Sequence, residues 1–100
     1  MAVAAYIINF PNWLDGYEHE TQSKGYLVGV RVESDNRVYD LVIYDPIRLR
    51  QDIEDEVQSA GYFAAPNLLV VSVVTRAEIE AAIRDISGSG FSGFHANTSI

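Results

Sequence analysis

The sequence predicts an α+β fold: a two-layer sandwich with about four strands in a mixed sheet and two helices on one of its faces. Three observations lead there. Apolar residues alternate over 26–33 and 37–45, apolar residues recur at helical spacing from Leu49 to Ala60 and from Ile79 to Ile86, and a β-branched run over 68–74 separates the two helical stretches. The expected order is strand, strand, strand, helix, strand, helix.

Each element has a local cause. Residues 3–9 are β-branched, aromatic and small, and Pro11, which cannot donate to a ladder, stops them, so they read as the first strand. Residues 12–25 carry polar side chains without apolar periodicity and read as a long connection. In the next strand Tyr26, Val28, Val30 and Val32 fall on one face, with Leu27, Gly29, Arg31 and Glu33 on the other. Asp35 and Asn36 tolerate the positive φ of a two-residue hairpin turn. That turn sets the register: Val32 against Tyr39, Val30 against Leu41, Val28 against Ile43, and Arg31 against Asp40 on the other face.

Asp45 and Pro46 supply a cap and a first helical residue, and Leu49, Ile53, Val57 and Ala60 form the apolar stripe of a helix ended by Gly61. The run over 68–74 suits a central strand, reached from the hairpin by a parallel crossover; the sequence does not determine the position of strand one, although pairing beside this strand is attractive. Thr75 to Glu78 matches a capping box, and Ile79, Ala82, Ile83 and Ile86 give the second helix its stripe before Gly88. Residues 1–100 are expected to form a single domain with a flexible C-terminal tail from about residue 88. Phe91 and Phe94 in that tail should fold back onto the body or meet a partner chain.

Composition narrows the functional classes. Fourteen acidic residues against seven basic ones give a formal charge of −7, which repels phosphate backbones and anionic lipid heads, so neither nucleic acid nor membrane is an expected partner. No apolar run reaches the roughly 20 residues needed to span a bilayer. The apolar start meets Asn9 and Pro11 too early for a signal peptide, and the chain has no cysteine, so the expected compartment is the cytoplasm.

The motifs offer little chemistry. Glu18-His19-Glu20 puts a histidine among carboxylates, but adjacent residues rarely converge on one point, and the segment reads as a solvated loop without a metal. The glycines between 88 and 93 follow a helix, whereas phosphate-cradling loops open one, so no cofactor is expected. Asp45 is used as a cap and Asp40 pairs with Arg31, which leaves no catalytic pair. What remains suits recognition: Trp13 and Tyr17 in the long connection, Tyr44, Arg31 and Asp40 on the non-core sheet face, and Asp52, Asp55 and Glu56 on the first helix.

The run Val38-Tyr39-Asp40-Leu41-Val42-Ile43-Tyr44-Asp45-Pro46-Ile47-Arg48-Leu49-Arg50-Gln51-Asp52, with Val73-Val74-Thr75 and the helix over 79–86, resembles small uncharacterised bacterial α/β proteins over roughly residues 37–94. The chain is similar, more loosely, to compact acidic immunity proteins that neutralise a co-expressed toxin. The resemblance implies a bacterial cytosolic setting and no catalytic residue.

The leading expectation is a non-enzymatic protein-protein interaction module, of the immunity-inhibitor kind, whose partner is another, basic protein. The alternative is a small enzyme or ligand-binding domain with a site between the 12–25 connection and the open sheet face, built from Asp15, Glu18, His19 and Glu20. A homodimer formed through strand edges or the Phe91 to Phe94 stretch is a third.

Overall fold

The computed structural model describes residues 5–96 and the backbone of 98–99. Its elements in chain order are β1 (Ile7–Asn9), a 3-10 turn (Asn12–Leu14), α1 (Glu18–Lys24), β2 (Tyr26–Ser34), β3 (Arg37–Tyr44), α2 (Pro46–Ala60), β4 (Leu68–Val70), α3 (Arg76–Ser87) and β5 (Thr98–Ser99). The sheet runs β1-β2-β3-β4, mixed because β3 and β4 are parallel, and β5 adds to β3 antiparallel at Arg37 and Val38. The α+β architecture with a mixed sheet is as expected.

The hairpin of β2 and β3 organises everything else. Asp35 and Asn36 both take positive φ, 51° and 63°, and set Ser34 opposite Arg37, Val32 opposite Tyr39 and Val30 opposite Leu41. Arg31 lies opposite Asp40, as the two-residue turn requires. Beyond Val30 the expected register fails. Gly29, at φ 87°, is an extra residue that shifts the ladder, so Val28 pairs with Val42 and Leu27 with Ile43. A bulge reverses which side chains face inward. Leu27 is therefore buried at 2% exposure, and Val28 stands at 41% on the open face.

The core lies on one side of the sheet. Val30, Val32, Ile43, Ile79 and Ile83 are wholly excluded from solvent, and Leu14, Leu27, Leu41, Val74 and Phe91 close around them. Phe91 folds back as expected, with its ring 5.3 Å from Tyr39 and 5.9 Å from Tyr6.

Several expectations need correction. The first strand begins only at Ile7 and lies beside β2, not beside β4; residues 3 and 4 of the expected strand lie outside the described residues. The expected central strand over 68–74 shortens to Leu68–Val70 and sits outside β3 instead of in the middle of the sheet. Its continuous apolar character has another source: Val71 and Val74 reach the core from a non-strand segment. The 12–25 connection is not structureless, since it forms the 3-10 turn and the seven-residue α1. Acidic residues in the first turn of α1, Lys24 in its last and Gly25 at φ 69° after it are the end signals a helix dipole favours. A side chain at residue 25 would also collide with the Asp45 carboxylate, so glycine is needed there twice over.

Both long helices start where expected. The Asp45 carboxylate accepts from the Arg48 amide at 2.7 Å, and Thr75 Oγ1 accepts from the Glu78 amide at 3.3 Å. Their burial differs. Ile79 and Ile83 of α3 are core residues, but α2 contributes nothing to the core, so the expectation of two helices on one face is met by α3 alone.

Candidate functional site

α2 meets the sheet in an unusual way. Its contacts run through polar residues: Arg48 Nε donates to Asp52 at 2.8 Å, Tyr44 Oη donates to the other oxygen of Asp52 at 2.7 Å, and the Arg48 guanidinium lies 5.2 Å from the centre of the Tyr26 ring. Tyr26 and Tyr44 are cross-strand partners on the face opposite Leu27 and Ile43, a pairing that the Gly29 bulge creates. One residue on from Asp52 the helix has turned by about 100°. The apolar stripe therefore points away: Ile53 is 37% and Val57 48% exposed, and no residue of this 15-residue helix is buried. The sequence reading placed that stripe on the core, and it is not there.

Between α2 and the segment after it lies a cleft of about 410 Å³. Tyr44 forms its floor, with Tyr26 at 4.8 Å and Phe63 at 6.2 Å between ring centres, and Tyr62 stands exposed at its mouth. Asp52, Glu56 and Arg48 also line it.

The three groups at the floor hold one another's protonation states. Burial and donation to Asp52 push the Tyr44 phenol well above the ordinary tyrosine range, so it stays neutral. Burial alone would raise the Asp52 carboxyl, but the hydrogen bonds from Tyr44 and Arg48 outweigh it and leave the group below its usual value of 3.8. Asp52 in turn raises Arg48, which remains a permanent cation.

The expected recognition residues thus separate. Tyr44, Asp52 and Glu56 share this cleft. Asp55 is on α2 but about 200° around the helix from Ile53. Arg31 and Asp40 form an ion pair of 2.9 Å on the open sheet face, more than 45% exposed on both sides, with Val28 beside them. Trp13 and Tyr17, 53% and 58% exposed, lie in the 3-10 turn and at the cap of α1, where Leu14 and not Trp13 pins the chain to the core.

The open face is also less open than expected, because Arg48, Asp52 and Phe63 cover its Tyr26 and Tyr44 end. Sequence reasoning missed Tyr26, Arg48, Tyr62 and Phe63. The i, i+4 spacing of Arg48 and Asp52 pointed to Arg48, and Gly29 inside the strand pointed to the Tyr26 and Tyr44 pairing.

A second cleft of about 300 Å³ lies between α1 and the start of α3. Glu18 and His19 edge it, as the alternative site would require, but it opens on the core side of the sheet and not on the open face. Its lining is largely apolar, with Leu14, Leu27, Val74 and Ile79 around it, and Leu14, Leu27 and Ile79 are at most 3% exposed. Arg76 beside it is already engaged, at 2.6 Å by Asp15, at 3.7 Å by Glu18 and with its guanidinium 4.8 Å from the Phe10 ring centre.

Among the described residues no group of three or more histidines and carboxylates could hold a metal, and no helix is long and apolar enough to cross a membrane. Compared with known proteins, the chain matches no family model, no curated protein and no solved structure. Fold and site together define an α+β domain with one well-buried helix and one helix that shows its apolar edge to solvent.

Proposed function

We propose that this chain is a non-enzymatic protein-protein interaction module of a bacterial cytosol, acting through the outward edge of α2 on a basic partner, as an immunity-type inhibitor does. The observation that carries the reading is the exposure of Ile53 and Val57 on a helix that buries no residue of its own. A helix of this length gains most of its stability from packing an apolar face, so one left in water is a face for another molecule.

Charge favours a different protein over a second copy. Two chains at −7 repel one another, whereas Glu56 beside the stripe suits a lysine or arginine of the partner, Glu54 on the other side being already paired with Arg50. The role asks for no catalytic group. The alternative of a ligand-binding or enzymatic domain rests on the cleft at Glu18 and His19, and an unchanged response to every ligand in His19→Ala would remove it.

The test is to isolate the partner at low salt and reconstitute the complex from pure components. Ile53→Asp with Val57→Asp should abolish binding while circular dichroism still shows the folded chain. Equal binding by wild type and variant, or a chain that only self-associates in sedimentation equilibrium, would overturn the reading.

A further inference from the structure

The cleft beside α2 carries a more specific inference, which rests on the reading of α2 as a contact surface for a basic partner. We propose that this cleft receives one cationic side chain of that partner, an arginine or a lysine, as the anchor of the complex.

Its lining is what a cation requires. Tyr26, Tyr44 and Phe63 present ring faces and edges within 4.8 and 6.2 Å of one another, and Tyr62, 68% exposed, stands at the mouth. Aromatic rings attract cations through their quadrupole, most strongly where water is partly excluded. The chain already uses this attraction, since Arg48 lies 5.2 Å from the Tyr26 ring centre.

The charges are unbalanced. Two carboxylates, Asp52 and Glu56, line the cleft against the single guanidinium of Arg48. Asp52 is engaged by Tyr44 and by Arg48, but among the described residues no hydrogen bond or ion pair engages Glu56. The cleft is therefore one positive charge short of neutrality. Glu56 and Tyr62 both line the cleft, and both are exposed. An anion would meet Glu56 first, and a neutral group would leave that carboxylate unpaired.

Glu56 also borders the Ile53 and Val57 stripe, because on the helix it lies about 60° from Ile53. A partner laid across that stripe thus brings a basic side chain into reach of the cleft. Hot-spot anchors of this type sit in pockets next to an apolar contact.

The test is a nuclear magnetic resonance titration with N-acetylarginine amide, and with N-acetylcitrulline amide as its neutral counterpart of nearly equal shape. Saturable shifts at the backbone amides of Glu56, Tyr62, Phe63 and Ala64 are expected with the arginine probe and not with the citrulline probe. Glu56→Gln and Tyr62→Ala should each weaken the arginine probe about 5-fold, the equivalent of about 1 kcal/mol, with the folded spectrum retained. Equal shifts from both probes, or an arginine response unaffected by either substitution, would overturn the proposal.

The two readings fail separately. If the arginine probe does not bind but the reconstituted partner is still lost on Ile53→Asp with Val57→Asp, the cleft proposal falls and the contact surface stands. If the probe binds and no partner complex depends on the stripe, the cleft stands as a cation site and the contact surface falls.

Discussion

The two long helices of this chain begin in the same way and end up in opposite situations. α2 and α3 each start at a side-chain cap, and each carries apolar residues at helical spacing, Leu49, Ile53 and Val57 in α2 and Ile79, Ile83 and Ile86 in α3. α3 turns those residues inward, where Ile79 and Ile83 lose all contact with solvent. α2 turns a polar edge inward, holds the sheet through Asp52, Arg48 and Tyr44, and leaves Ile53 and Val57 partly exposed, at 37% and 48%. Amphipathicity therefore shows that a helix has an apolar face, and not whether its own chain covers that face. The uncovered one is where function is to be sought.

The contrast can be broken most directly at the cores of the two helices. Ile83→Ala should cost about 3 kcal/mol, since it removes a fully buried side chain and leaves a cavity. The matching Ile53→Ala, at a side chain still 37% exposed, should cost only about 1 kcal/mol. Chemical denaturation measures both, and equal losses would mean that α2 is packed after all.

The junction before α2 sets the next largest effect. Gly25→Ala should destabilise by about 2 kcal/mol, because alanine is strained at φ 69° and its methyl would collide with the carboxylate that caps α2. Gly61→Ala, at φ 88° but facing open space, separates the two causes and should lose only about 1 kcal/mol.

The polar seam is worth less. Asp52→Asn should cost about 1.5 kcal/mol by weakening the bonds from Tyr44 and Arg48. The pH dependence has a definite sign: the folded Asp52 is the stronger acid, so its contribution is complete above the unfolded value near 3.8 and fades as pH falls through the lower folded value. A urea series below pH 4 should therefore show wild type and Asp52→Asn converging. At the alkaline end the Tyr44 phenol has its pKa raised on folding, so that contribution is present below pH 10 and declines above it. Absorbance at high pH should lose a late-ionising component in Tyr44→Phe. The smallest effect belongs to Arg31→Ala, under about 0.5 kcal/mol, because the pair with Asp40 is exposed on both sides.

The legible parts of the fold were those decided within a few residues. The hairpin turn at Asp35 and Asn36, the Arg31 and Asp40 pairing and the caps at Asp45 and Thr75 all follow from local chemistry, and the structure has them. The failure in the hairpin register has a local cause as well. Gly29 reads as an ordinary member of an alternating strand, although a glycine inside a strand is also the usual mark of a bulge. Reading it so would have put Leu27 inward and Val28 outward, and would have paired Tyr26 with Tyr44. The site was half legible: Tyr44, Asp52 and Glu56 belong to it, whereas Tyr62 and Phe63 come from a segment with no periodicity to announce them.

The sequence by itself determined the class of fold, the hairpin, the starts of both helices and an acidic chain without cysteine, because each depends on neighbours along the chain or on composition alone. Only the tertiary structure decided that β1 pairs with β2, that β4 lies outside β3, and that α2 rests on its polar edge. Those outcomes depend on which distant surfaces compete for the same face of the sheet. Once α3, Leu14 and Phe91 occupy the core side, α2 meets the sheet through Tyr26 and Tyr44, and its apolar edge is left to face solvent.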